Sequence, residues 1–109
     1  MIKAEDLIEG GLYVVVNKKG GFNIAKVMCV VDIIAYVRCY GNVFHKMPTE
    51  SDIGGLSMEK IHEGPWPIAC VPILASGFQG EALALVCQVA VTSEEIDSVR
   101  EVIEMQEDE

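Results

Sequence analysis

The stretch LYVVVNKKGGFNIAKVMCVV, residues 12–31, decides the fold. Residues 12–17 are β-branched and aromatic, a composition that favours a strand. Lys-Lys-Gly-Gly then has the composition of a hairpin connection, and residues 22–31 are again strand-like. The stretch therefore predicts two antiparallel strands joined as a hairpin.

The second of these strands is largely apolar on both of its faces. Its two alternating sets of side chains are Phe22, Ile24, Lys26, Met28, Val30 and Asn23, Ala25, Val27, Cys29, Val31. A strand with two apolar faces must be covered on both sides. A closed five-stranded barrel, a single helix and a dimer partner could supply that cover.

Three further apolar segments follow, at residues 33–40, 68–74 and 81–91. Asp32 is a weak turn signal, so a hairpin competes there with one long bent strand, and we favour the hairpin. Pro72 cannot donate a backbone hydrogen bond and predicts an edge or bent strand. Residues 75–80 are expected to form a loop, and residues 56–64 a short strand or a helical turn. Gly-Gly pairs at 10–11, 20–21 and 54–55 indicate positive φ angles.

The end of the chain has a helical period instead. Thr92 and Glu95 fit a capping box, and Ile96, Val99 and Ile103 recur at helical spacing. We therefore predict one α+β domain over residues 1–109. A small, bent antiparallel β-barrel of about five strands occupies residues 1–91, and an acidic segment, residues 92–109, forms one amphipathic helix and a tail.

Charge and hydropathy limit the classes of partner. The chain has 8 Lys and Arg against 17 Asp and Glu, a net charge of -9, which disfavours nucleic-acid binding. The N-terminal segment lacks the apolar run of a secretory signal, and no run is long enough to cross a membrane. We therefore expect a cytoplasmic protein that does not bind membranes. Half of the residues are hydrophobic, which predicts self-association, most simply as a homodimer.

The four cysteines, Cys29, Cys39, Cys70 and Cys87, form no C-x-x-C pair and match no zinc pattern with the two histidines. Reduced, buried thiols are expected rather than disulfides. Cys29 or Cys39 as nucleophile with His45 or His62 as base would supply the residue types of a cysteine-dependent enzyme, but no nucleophile elbow, phosphate loop or acidic orienter accompanies them. We therefore expect no catalytic, metal or cofactor site.

Short motifs in residues 10–48 carry a resemblance. Gly-x-Tyr at 11–13, Phe-x-x-Ala-Lys-Val at 22–27, Val-Asp at 31–32 and Val-Arg-x-Tyr-Gly-Asn at 37–42 resemble the first strands of Tudor-like and other Src-homology-3-like small barrels. The chain is also similar to a family of uncharacterised bacterial proteins. The matching positions are Lys26, Val27, Val37, Arg38, Tyr40, Asn42, Phe44 and Pro48. This second likeness implies a fold but no activity.

The Tudor resemblance implies an aromatic cage that holds a methylated lysine or arginine against ring faces. Its matching positions are Tyr36, Tyr40, Asn42 and Phe44; ordinary packing of these rings in the sheet is the alternative. Trp66, between two prolines, either plugs the barrel or contacts a partner. The predicted partner-binding residues are thus Tyr36, Arg38, Tyr40, Asn42, Phe44 and Trp66.

The preferred functional prediction is a non-catalytic protein-interaction module that binds a protein or peptide partner through this aromatic barrel surface. The alternative is an acidic inhibitor or immunity-type protein that neutralises a basic partner through Glu94, Glu101 and Glu104 of the C-terminal helix. An acidic helix with one apolar stripe is also typical of a simple solvated face. The sequence identifies no particular partner.

Overall fold

The computed structural model describes residues 7–16, 20–56 and 68–107. Within these ranges the chain forms five strands, two α-helices and one short 3-10 helix. Their order is β1 (Gly11–Val16), β2 (Phe22–Val31), β3 (Ile34–Cys39), the 3-10 helix (Glu50–Gly55), β4 (Ile68–Leu74), α1 (Ala75–Glu81), β5 (Ala82–Gln88) and α2 (Ser93–Glu107). The predictions for residues 57–67, including Trp66 and His62, lie outside the described residues.

The strands form one antiparallel sheet in the order β4-β3-β2-β1-β5. The predicted pairing of the first two strands is confirmed, with Leu12 opposite Lys26 and Val16 opposite Phe22. The predicted hairpin between β2 and β3 is also confirmed, and its connection is Asp32-Ile33. Asp32 has φ 58°, in the left-handed region that aspartate tolerates better than most residues.

The sheet does not close into the predicted barrel. Within the described residues β4 and β5 are the two edge strands, and they do not pair with each other. Pro72 lies in β4, and the position of β4 at the end of the strand order confirms the predicted edge strand. The apolar faces of the central strands are covered by α1 on one side and by α2 on the other, so that closure is not needed to bury them.

The α1 helix occupies the segment that was predicted to be a loop. Its glycines and serine have poor helix propensity, but Ala75 and Phe78 are both buried against the sheet. The ring of Phe78 meets that of Tyr13 edge-to-face, with centroids 5.6 Å apart. Tertiary packing has therefore overridden local propensity at this position.

The α2 helix, in contrast, forms almost where it was predicted. The Thr92 capping box is present: the Thr92 N–H donates to Glu95 Oε1 at 2.9 Å, and the Glu95 N–H donates to Thr92 Oγ1 at 3.2 Å. Val99 is buried against Met28 and Tyr36 of the sheet. This helix therefore covers the β2–β4 half of one sheet face.

The remainder of that face is covered by the segment between β3 and β4. Leu12, Val14 and Ile24 are buried there, and half-buried apolar side chains pack around them: Phe22, Tyr40, Phe44, Ile53, Leu56, Val86 and Cys87. Each sheet face is thus closed by non-sheet elements.

Two of the predicted positive φ angles are confirmed, at Gly10 and Gly20. Gly10 is also required by close approach, because a Cβ at this position would collide with the backbone carbonyl oxygen of Val89. Gly54 and Gly55 do not adopt positive φ, so the prediction for that pair is wrong. None of the helices in the described ranges combines the length and apolar character that a membrane crossing requires.

Candidate functional site

Strand β3 places Tyr36 and Arg38 on one face of the sheet, and Tyr40 follows on the same side. That placement agrees with simple alternation. These three side chains do not form one exposed surface, however. Tyr36 is only 4% exposed, and its side chain packs with Met28 and Val99 beneath α2. A ligand at the protein surface therefore cannot stack on the Tyr36 ring in this structure.

Arg38 belongs to a buried ion network rather than to the surface. Its Nε donates to the carbonyl oxygen of Ala69 at 3.1 Å, and its guanidinium lies 3.7 Å from Glu95 Oε2. Lys26 Nζ donates to Glu95 Oε1 at 2.8 Å and to the carbonyl oxygen of Ala90 at 2.8 Å. The side chains of Lys26 and Glu95 are each 3% exposed. The network thus joins β2 and β3 to the first turn of α2.

The carboxyl of Glu95 is adapted to this position. Burial alone would raise its pKa, but hydrogen bonds from Lys26 and from the Thr92 backbone, together with the charges of Lys26 and Arg38, hold the pKa below its ordinary value. Glu95 was predicted only as a capping residue, and its ion pair was missed. The signal that could have found it is Lys26, a charge in the middle of an apolar strand, because a buried charge requires a partner.

Asn42 and Phe44 lie in a loop that buried amides hold against the sheet. Asn23 is fully buried, and its Nδ2 donates to the carbonyl oxygen of Asn42 at 2.8 Å and more weakly to that of Tyr40 at 3.4 Å. Asn42 Nδ2 in turn donates to the carbonyl oxygen of Gly55 at 2.8 Å. Phe44 and Phe22 exchange two backbone hydrogen bonds of 2.8 Å. The Asn42 side chain is therefore used within the protein.

This segment, residues 40–47, is named here the 40–47 loop. Tyr40 and Phe44 are half-buried and pack onto the sheet. Val43 and Met47 instead project outward, with exposed fractions of 44% and 47%. The loop is thus an ordered platform that presents two apolar side chains to solvent.

A cleft of about 220 Å³ lies between β2 and α2. It is lined by Glu9, Met28, Cys29, Val91, Ile96 and Val99. This volume is below the range of typical small-molecule sites, and the lining contains no convergent set of polar groups. Among the described residues no cluster of three His, Cys, Asp or Glu side chains is arranged to hold a metal ion.

The four cysteines are free thiols, of which Cys39 is buried and the others are half-buried. Burial, with a smaller contribution from Glu81, raises the pKa of Cys39 to about 12. Burial is also the main cause that raises the pKa of Cys70 to about 11. The pKa values of Cys29 and Cys87 are raised for the same reason. These environments disfavour the thiolate that a nucleophile requires.

Comparison of the chain with protein-family models, with curated proteins and with solved structures finds no match. The resemblance to Tudor-like small barrels and to the uncharacterised bacterial family therefore stays a prediction.

Proposed function

We propose that this protein is a non-catalytic interaction module that binds a protein or peptide partner through the 40–47 loop. The observation that carries the proposal is the exposure of Val43 and Met47 on a loop that Asn23 and Asn42 hold in place. Apolar side chains on an ordered support suit a contact surface, because little conformational entropy is lost when a partner docks.

The proposed surface overlaps the one predicted from the sequence, but its residues have different roles. Tyr40 and Phe44 support the loop from below, and Asn42 fixes its backbone. Arg38 is assigned to the attachment of α2. The direct contacts come from Val43 and Met47, so the preferred partner is a segment with apolar side chains.

A random-peptide phage library panned on the immobilised protein tests this proposal. The variant pair Val43→Ser and Met47→Ser removes the two outward apolar side chains without touching the sheet. A matched control is Val31→Ser with Ile33→Ser, because these side chains are equally or more exposed, at 50% and 63%, but lie at the β2–β3 turn.

We expect the wild type and the control to enrich apolar peptides. The Val43→Ser and Met47→Ser variants should not enrich them. If the loop variants enrich the same peptides as the wild type, the proposal is overturned. Circular dichroism on all variants separates loss of binding from loss of folding.

A second candidate is the acidic inhibitor. The helix turns by 100° per residue, so Glu94, Asp97, Glu101 and Glu104 lie on one side of α2, opposite the side that carries Val99. All four acidic residues are exposed. This arrangement leaves a negative stripe free to meet a cationic protein.

Immobilised oligolysine is the probe for this candidate. Charge reversal by Glu101→Lys and Glu104→Lys is expected to weaken its binding strongly, whereas two reversals away from α2, Glu50→Lys and Asp52→Lys, should weaken it less. Binding should also fall steeply as salt is added, because exposed charges are screened. Equal effects of the two variant pairs would reject α2 as the specific surface.

A further inference from the structure

We propose that two copies of this chain associate through antiparallel pairing of their β5 strands, giving a continuous ten-stranded sheet. The observation behind this proposal is a difference between the two edges of the sheet. The β4 edge carries a proline and lies beside the acidic helix, whereas β5 carries neither a proline nor a charge, although its register against β1 shifts at two places.

The β4 edge is protected. Pro72 lies inside this strand and has no N–H to offer a neighbouring strand. The α2 helix packs against β4 as well as β2, and it brings its acidic stripe to this side of the molecule. Proline and charge are the usual devices by which proteins protect an edge strand.

The β5 edge has neither device. Its sequence, ALALVCQ, contains no proline and no charged residue. Leu83 and Leu85 are 48% and 45% exposed, although both are large apolar residues. Among the described residues, no strand pairs with the side of β5 that faces away from β1. Such a strand offers backbone hydrogen bonds and apolar surface together.

A second copy is the occupant that the composition favours, since half of the residues are hydrophobic, and the charge distribution selects the edge that this copy would use. The protein carries a net charge of -9, so two copies repel each other wherever their acidic surfaces approach. Pairing through β4 would bring the two α2 helices towards one another. Pairing through β5 places them at the two far edges of the joint sheet, where screening removes most of their repulsion.

An antiparallel strand pair with two-fold symmetry is self-complementary, as a homodimer requires. Leu85 is the central residue of β5. With the symmetry axis beside it, Leu85 lies opposite the same residue of the second copy, and the Leu83 side chains flank this pair. Leucines exposed in the single chain thereby become covered.

Sedimentation velocity over about two decades of protein concentration tests the association of the full chain. The variant is Leu85→Lys, which adds a charge to the edge. The matched control is Ile33→Lys, which adds the same charge at a more exposed position, 63%, on the β2–β3 turn. We expect the wild type and the control to dimerise. The dissociation constant of the Leu85→Lys dimer should be at least roughly tenfold higher.

A second measurement does not depend on the variant folding. Hydrogen exchange of the wild type should show amides of β5 that are protected at high concentration and lose protection on dilution, while amides of β2 do not change. A monomer at all concentrations, or equal dimerisation of Leu85→Lys and the wild type, overturns the proposal. The assay contains no partner peptide, so its result is independent of the function proposed for the 40–47 loop.

Discussion

Lys26 Nζ lies 2.8 Å from Glu95 Oε1, although the two residues are separated by 69 positions in the chain. One belongs to the central strand β2 and the other to the first turn of α2, and neither side chain is open to solvent. This contact, with Arg38 beside it, fixes the position of the C-terminal helix on the sheet.

Replacement of Glu95 by glutamine should destabilise the fold by about 3–5 kcal/mol, because it leaves Lys26 and Arg38 buried without a carboxylate. Urea denaturation measures this change. The control Glu94→Gln alters an exposed neighbour and should shift the free energy of unfolding by less than about 0.5 kcal/mol.

A double-mutant cycle isolates the pair. Lys26→Met combined with Glu95→Gln should cost clearly less than the sum of the two single changes, because the double variant no longer buries an unpaired ammonium. Strictly additive costs would show that Lys26 and Glu95 are not coupled.

The same ion network predicts a pH dependence. The pKa of Glu95 is lower in the folded protein than its ordinary value of 4.5. Its contribution is therefore fully present above that ordinary value and is lost as the pH falls through the lower pKa of the folded state. The difference in free energy of unfolding between the wild type and Glu95→Gln should be constant near neutral pH and shrink in acid. A difference that grows on acidification would contradict this assignment.

Removal of the Asn23 amide should loosen the 40–47 loop. Asn23→Ala leaves the carbonyl oxygens of Asn42 and Tyr40 without this donor and should cost about 1–3 kcal/mol. Hydrogen exchange at the Phe44 amide should accelerate as the loop opens. Gln88→Ala is the control, since its amide also donates to a backbone carbonyl, that of Glu9, but in an exposed position. Equal losses in both variants would indicate that burial of Asn23 is unimportant.

Alkylation should be slow at all four cysteines of the native protein. With pKa values of about 12 and about 11, the thiolate fractions of Cys39 and Cys70 at pH 8 are roughly a thousandfold and a hundredfold below that of an unperturbed thiol. Mass spectrometry after iodoacetamide treatment, with and without urea, measures this protection. Rapid labelling of any one cysteine in the folded protein would contradict the expectation and favour a cysteine-dependent enzyme.

The local elements were well predicted, and the reason is visible in individual residues. The β-branched residues of β1 and the apolar, strand-like run of β2 specify strands, and Pro72 specifies an edge. The Thr92–Glu95 capping box marks the start of α2. Each of these signals acts between residues that are close in sequence, so it can be recognised without knowledge of the fold.

The candidate site was predicted less well. Alternation placed Tyr36, Arg38 and Tyr40 on a common face, but the exposure of that face depends on α2, which crosses it from the far end of the chain. Val43 and Met47 carry no motif, and they are exposed on a loop that hydrogen bonds of Asn23 and Asn42 hold against distant parts of the chain. The structure therefore places Tyr36 and Arg38 away from the exposed surface that alternation alone would have given them.

The sequence by itself determined the strands of β1 to β3, the edge character of β4, the capped acidic helix and the excess of negative charge. Only the tertiary structure decided that the sheet stays open, that residues 75–81 become a helix, and that Lys26 and Arg38 face Glu95. The physical reason is the distance along the chain over which each interaction acts. Propensity, capping and alternation act over a few residues, whereas burial and ion pairing depend on which distant segments pack together. Many tertiary arrangements are compatible with the same local sequence pattern.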